Sequence, residues 1–156
     1  MTATNSLMSI DSPIGRLTLE ANDHALVALW LPGSLLPYSE GSSTRSAILR
    51  STATQLEEYF ARERKEFTLA LEMVGTPFQR AVWDGLLEVP YGMTVSYGTL
   101  AQRLGRPGSS RAIGQANARN PIPIIVPCHR VVASNGLGGY AGGLAMKEAL
   151  LELERR

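Results

Sequence analysis

One run of the chain, Asn120-Pro121-Ile122-Pro123-Ile124-Ile125-Val126-Pro127-Cys128-His129-Arg130-Val131-Val132, restricts the fold more than any other. A proline fixes its own φ, offers no N–H, and biases the residue before it away from the helical region. Pro121 and Pro123, at alternate positions, therefore predict an extended path. Ile124 to Val126 is apolar enough to be buried, and Pro127 imposes an irregular approach to the next residue. The spacing places Cys128 on a rigid, non-helical segment. It is the single cysteine among 156 residues.

That count limits the chemistry. One cysteine cannot form an internal disulfide, and one cysteine with His24 and His129 cannot supply a cysteine-rich zinc site. Metal-free and cofactor-free chemistry is expected. A cysteine reacts as its thiolate, a small fraction of the free thiol near neutrality, so a neighbouring base and positive charge assist it. His129 and Arg130 follow directly. Adjacent side chains in a regular strand point to opposite faces, so coupling Cys128 to His129 requires a bent backbone or a bridging water, of which the water is favoured. The competing reading of Cys128 is a small buried apolar residue.

The net charge of +1 hides a lopsided distribution. Residues 1–88 carry seven basic and eleven acidic side chains, whereas residues 89–147 carry six basic ones and no carboxylate. A stretch holding Arg103, Arg106, Arg111, Arg119, Arg130 and Lys147 alone suits a phosphate-facing surface. With 44% hydrophobic residues the chain can bury a core, and no apolar run is long enough to span a membrane. Residues 1–11 lack the basic start and apolar run of a signal peptide, so a cytoplasmic protein is expected.

Period-two patterns predict strands over Arg16–Ala21, Leu26–Leu31 and Phe67–Met73. Between the last two lie a Pro/Gly/Ser-rich loop, Pro32–Ser43, and an amphipathic helix through Ala47, Ile48, Leu56, Tyr59 and Phe60. Gly75-Thr76-Pro77 supplies a helix start with Thr76 as cap, and predicts a boundary between an α/β domain, 1–74, and a second domain, 75–156. The next helix packs through Phe78, Ala81, Val82 and Leu86 and stops before Pro90-Tyr91-Gly92. Two short helices follow, one capped by Ser96 and running to Leu104, the other capped by Ser109 or Ser110, in a helix-turn-helix pattern. The second is rich in small residues, leaving Arg111, Gln115, Asn117 and Arg119 to protrude. Such a helix can approach a groove closely while reading few bases, which predicts weak sequence preference. A last helix is expected over Leu144–Glu154.

The ordered set Gly75-Thr76-Pro77-Phe78-Gln79, Val82-Trp83, Pro90-Tyr91-Gly92, Ser96-Tyr97, Arg111-Ala112-Ile113-Gly114, Asn120-Pro121, Pro127-Cys128-His129-Arg130-Val131 and Gly139-Tyr140-Ala141-Gly142-Gly143, followed by Lys147 and Leu150-Leu151, agrees in order and spacing with a known family. The chain resembles the methylated-DNA–protein-cysteine methyltransferases, or O6-alkylguanine-DNA alkyltransferases. Residues 1–72 match more loosely. The resemblance implies an N-terminal small sheet with a helix, RNase H-like, and a C-terminal helical domain of winged helix-turn-helix type. It also implies direct-reversal DNA repair, with one irreversible transfer of an alkyl group from O6-alkylguanine, and less well from O4-alkylthymine, onto Cys128.

By the same resemblance His129, acting through water and oriented by Glu154, generates the thiolate, and Tyr97 donates to the departing base. Arg111 fills the space left by the flipped nucleotide. Ser96, Ala112, Gly114, Arg119 and Arg130 join it in facing DNA. Asn120 bridges the helix-turn-helix and the active-site segment, and Val131, Tyr140, Ala141 and Gly142 wall the pocket. Ala141 stands where many relatives have serine, which removes one hydrogen bond to the lesion oxygen and widens the pocket. The implied partner is double-stranded DNA containing alkylated guanine, met by a monomer without metal, cofactor or membrane.

Two other functions fit parts of the pattern. A cysteine hydrolase built on Cys128 and His129 would turn over repeatedly. A non-catalytic helix-turn-helix module or lesion binder would use the basic stretch without the thiol. Gly136-Leu137-Gly138-Gly139-Tyr140-Ala141 is not expected to be a dinucleotide fingerprint, because too little chain follows for the βαβ unit such a fingerprint needs, and its glycines are read as a turn.

Overall fold

The computed structural model describes residues 5–36 and 45–155. The expected loop is thus seen only over residues 32–36, its remainder lying outside the described residues, as do Met1 to Thr4 of the N-terminus. The chain divides into two compact units, Met1–Met73 and Val74–Arg156.

The first unit is a three-stranded antiparallel meander of β1 (Ser6–Ser12), β2 (Gly15–Ala21) and β3 (Leu26–Trp30), joined by helix α1 (Ala47–Phe60). β1 escapes the period-two test because Leu7 and Met8 are adjacent and both buried. Gly15 follows the tight β1–β2 turn at φ +114°, where a Cβ would stand 2.8 Å from the Pro32 ring, so glycine is required on two counts. The α1 stripe is Leu49, Thr52, Leu56 and Tyr59, a spacing of three and four residues, rather than one starting at Ala47, which is exposed. On the sheet, Glu20 accepts hydrogen bonds from Trp30 Nε1 and Asn5 Nδ2, and Ser9 pairs with Thr18.

The strand expected over Phe67–Met73 is replaced by a single parallel bridge between Leu26 and Leu71. The reason lies in Gln55, whose carboxamide takes the place of a strand partner. It accepts from Thr68 N at 2.9 Å and donates to Thr68 O at 3.2 Å, satisfying backbone groups that a ladder would otherwise use.

The second unit begins with α2 (Pro77–Leu87), whose Thr76 and Gln79 form a reciprocal capping box with Pro77 in the first turn. Its inward face is Val82, Trp83 and Leu86, and Ala81 is exposed. A two-residue strand β4 (Val95–Ser96) leads into α3 (Tyr97–Arg103), capped by Ser96 Oγ on Thr99 N, and α4 (Ser110–Ala118) completes the helix-turn-helix. β4 pairs in parallel with β5 (Val131–Val132), with Val95 opposite Val131, so the start of α3 is tied to the residues just past Cys128. Helix α5 (Leu144–Glu154) follows, with Arg155 as its C-cap. None of the described helices is long and apolar enough to cross a membrane.

Candidate active site

The proline-rich run folds back on itself instead of staying extended. Asn120 takes both roles a backbone partner would: its Oδ1 accepts from Ile122 N at 2.9 Å and its Nδ2 donates to Val126 O at 2.8 Å. Val126 N then bonds Ile122 O, and Ile124 is held at φ +75°, a left-handed conformation costly for a β-branched residue. Ile122, Ile124, Ile125 and Val126 are all buried, so the surrounding core enforces that geometry. The expected non-helical setting of Cys128 is also corrected. Cys128–Arg130 form one turn of 3₁₀ helix, because Pro127 has a free carbonyl that accepts Arg130 N at 3.0 Å.

Cys128 is buried, with 4% of its surface exposed. Burial pushes its thiol up to about 11, against the opposing pull of a hydrogen bond with the Asn120 side chain and the charge of Lys147. The resting group is therefore a thiol. His129 is fully buried, and Nε2 stands 2.7 Å from Glu154 Oε2. Burial holds its pKa below the ordinary histidine value, with Glu154 working in the opposite direction. Glu154 Oε1 and Oε2 also accept from Arg130 Nε at 2.8 Å and Nη2 at 3.1 Å, which fixes the group as an acceptor. Nε2 of a neutral His129 must then carry the proton, leaving Nδ1, buried and without a hydrogen-bond partner, as a basic lone pair.

Arg130 does not face phosphate. Only 6% exposed, it spends its guanidinium on Glu154 and on Val89 O at 2.7 Å, because a buried arginine must pair all the charge it brings inside. Lys147 likewise leaves the basic surface: fully buried, it donates to Val131 O and to Gly139 O at 3.0 Å. The expected protrusion of Asn117 fails too, since that side chain is 6% exposed and donates to Cys128 O. Arg103, Arg106, Arg111 and Arg119 remain exposed, with Ala112 and Gln115 beside Arg111 and Arg119 on α4, and Gly114 partly covered.

Tyr97, partly buried, sits under Lys147, whose Nζ is 6.0 Å from the ring centroid. Burial raises its pKa, and a backbone hydrogen bond at Gly139 lowers it by less. Gly138, at φ +74°, approaches so closely that a Cβ would lie 2.9 Å from the Tyr97 hydroxyl. The turn expected at these glycines lies instead at Ser134–Asn135, closed by the antiparallel bridge between Ala133 and Gly136, and the irregular stretch after it brings the Gly138 backbone against Tyr97. Tyr140 has a buried hydroxyl with no hydrogen-bond partner, and burial raises its pKa strongly. Val131 is buried, Ala141 is exposed and Gly142 lies between. Ser96 is occupied as the α3 cap, its hydroxyl also donating to Thr99 Oγ1 at 2.9 Å. The described residues contain no group of three or more histidine, cysteine or carboxylate side chains that could hold a metal.

Sequence reasoning missed the internal roles of Asn117 and Lys147. Both had a signal: Asn117 lies one turn before Asn120, and Lys147 is spaced with Leu150, Leu151 and Glu154 along the inward face of α5.

Comparison with known proteins gives a consistent result. The family model described as 6-O-methylguanine DNA methyltransferase, DNA binding domain, matches residues 77–156, and the one for the ribonuclease-like domain of the same family matches residues 7–73. A methylated-DNA–protein-cysteine methyltransferase of Mycobacterium leprae is 47% identical over 149 residues, covering 94% of this chain and 90% of that protein. Its counterpart in Methanosarcina acetivorans is 46% identical over 147 residues, covering 92% and 94%. The crystal structure of Mycobacterium tuberculosis OGT in complex with DNA superposes with a TM-score of 0.89 at 45% identity, covering 96% of this chain and 92% of that one.

Proposed function

The chain belongs to the 6-O-methylguanine DNA methyltransferase family, and from that membership we propose a single-use repair reaction in which Cys128 takes the alkyl group from O6-alkylguanine, and less readily from O4-alkylthymine, in duplex DNA. The observation that carries this reading is the buried Glu154–His129 pair, next in sequence to the buried thiol of Cys128.

With the thiol at about 11, only about one molecule in 10⁴ is thiolate at pH 7. A base acting within the site is therefore required. Adjacent side chains on a 3₁₀ turn diverge by about 120°, so His129 Nδ1 takes the Cys128 proton through a bridging water. The carboxylate of Glu154 stabilises the imidazolium that results. The thiolate attacks the alkyl carbon, an S–C bond forms, and the C–O6 bond breaks with its electron pair kept by guanine. Tyr97 donates a hydrogen bond to the base as charge develops, and the proton taken from the thiol ends on the guanine. The product is a thioether, from whose alkyl carbon neither water nor a side chain displaces the poor thiolate leaving group, so each molecule acts once.

To reach O6 the nucleotide is flipped out of the stack, at a cost of a few kcal/mol. The exposed face of α4 meets the DNA through Ala112 and Gly114, with Arg111 entering the vacated space and Arg119 on phosphate. Asn120 braces the nucleophile segment, and Val131, Tyr140, Ala141 and Gly142 line the base pocket. The protein works as a cytoplasmic monomer, with residues 1–74 as an accessory domain and residues 75–156 carrying the reaction.

The test mixes the protein with excess duplex bearing O6-methylguanine and reads intact and peptide mass. One methyl on Cys128, with activity ending at one equivalent, is expected. Consumption beyond one equivalent without a lasting adduct would make the protein a turnover hydrolase. A lesion bound but left intact would make it a sensor.

A further inference from the structure

We infer that Asn117 is a positioning residue for the nucleophile, fixing the backbone of Cys128 to helix α4 through a hydrogen bond that the alkyl transfer requires; the inference rests on the function proposed above. Asn117 and Asn120 stand three residues apart and reach two carbonyls of the same segment. Asn120 Nδ2 holds Val126 O at 2.8 Å, and Asn117 Nδ2 holds Cys128 O at 3.2 Å. Val126 O in turn accepts Cys128 N at 2.8 Å, and Cys128 O also accepts Val131 N. Every backbone polar atom of Cys128 is thus engaged. Because the Cα–Cβ direction follows from the backbone, this clamp sets where the sulfur can point.

The clamp is anchored at its other end. Trp83, itself buried, donates from Nε1 to Ala116 O at 2.9 Å, one residue from Asn117, so α4 cannot shift along its axis without breaking a buried bond. The opposite side of the same helix exposes Arg111, Ala112, Gln115 and Arg119. One rigid helix therefore carries both the surface read as facing DNA and the restraint on the sulfur.

Asn117 is an unfavourable choice for packing alone. Its Oδ1 is buried and has no hydrogen-bond partner, a cost that leucine, of similar size, would not incur. Val131 N already satisfies Cys128 O, so stability does not demand a second donor there. What the second donor adds is direction, and small errors in the placement of a reacting atom can cost about 10²-fold in rate.

The experiment measures single-turnover methyl transfer from an O6-methylguanine duplex, over a range of protein concentration and from pH 6 to 8.5, for the wild type, Asn117→Leu and Asn117→Asp. Asn117→Leu is expected to lower the saturating rate constant about 10- to 100-fold while the half-saturating concentration stays within about twofold. Asn117→Asp should recover toward the wild type as pH falls, because a protonated carboxyl regains a donor for Cys128 O. An unchanged saturating rate in Asn117→Leu, or a loss confined to half-saturation, overturns the inference. Should that variant not fold, a ratio of Asn117→Asp to wild type that is flat with pH overturns it instead. Methylation of wild-type Cys128 in the same run tests the underlying reaction separately.

Discussion

Glu154 closes helix α5 with its Oε2 only 2.7 Å from Nε2 of His129, twenty-five residues away in sequence, and both side chains are sealed from solvent. Among the described residues, the same carboxylate is the anion that pairs with the buried guanidinium of Arg130. It therefore orients the base and neutralises a structural cation at once. Glu154→Gln should impair both, because Gln can accept one hydrogen bond but cannot offset the Arg130 charge. Breaking a buried pair in this way costs about 3–5 kcal/mol. Thermal unfolding should show that loss, and the transfer rate of the folded fraction should also fall. A variant that keeps wild-type stability would show that Arg130 is not held by this carboxylate.

The state of His129 gives a pH prediction. Burial depresses its pKa below the ordinary 6.5, so the folded protein binds its proton less readily than the unfolded chain does. The His129 contribution to stability is then complete above about 6.5 and is lost progressively as pH falls from there through the depressed folded value. The direct check is the imidazole carbon shift by NMR, with His24, the other histidine, assigned through His24→Gln. The His129 signal should titrate with a midpoint below the ordinary 6.5. A midpoint above 6.5 would mean that the Glu154 carboxylate outweighs burial, leaving part of His129 already protonated at rest and unable to take the thiol proton.

Much of this was legible in the sequence because it depended on local rules. The Thr76-Pro77 helix start and the Ser96 cap follow from capping chemistry, which acts within one turn. The path from Asn120 to Cys128 did not, since prolines say where a ladder or helix fails but not what replaces it. The fold-back is dictated by one carboxamide, that of Asn120, satisfying two backbone groups at once. Charge was misread for a related reason. Composition gives Arg130 and Lys147 the same weight as Arg111 and Arg119, whereas burial turns the first two into internal struts. Only long-range partners, such as Glu154 and Val89 O for Arg130, separate the two classes.

That separation is testable with two arginines. Arg119, exposed on the end of α4, should contribute a phosphate contact, so Arg119→Ala is expected to reduce the salt slope of duplex binding by about one unit and leave thermal stability nearly unchanged. Arg130→Ala should do the reverse, lowering stability by about 3–5 kcal/mol through an uncompensated Glu154 and leaving the slope of the folded protein intact. Binding titrations from 50 to about 200 mM salt, beside thermal melts, compare the two. Equal salt slopes for wild type and Arg119→Ala would take that residue off the DNA face.

The thiol itself yields the last prediction. Burial is the largest influence on Cys128 and raises it to about 11 from 9.0, while the nearby Lys147 cation pulls the other way. In the absence of DNA, alkylation by iodoacetamide should therefore be slow at pH 7 and should climb with pH toward a midpoint near 11. The linked stability has the opposite sign to that of His129: it is complete below about 9 and is lost as pH rises through about 11, because the folded state holds this proton more tightly than the unfolded chain. Lys147→Met removes a cation that favours the thiolate, so it should move the midpoint higher still and slow alkylation at every pH below it. Loss of the bonds to Val131 O and Gly139 O would also loosen the site and could admit reagent faster, which an increase in rate unaccompanied by a change in midpoint would reveal. A midpoint that falls in Lys147→Met would mean that the lysine does not act on the sulfur through its charge.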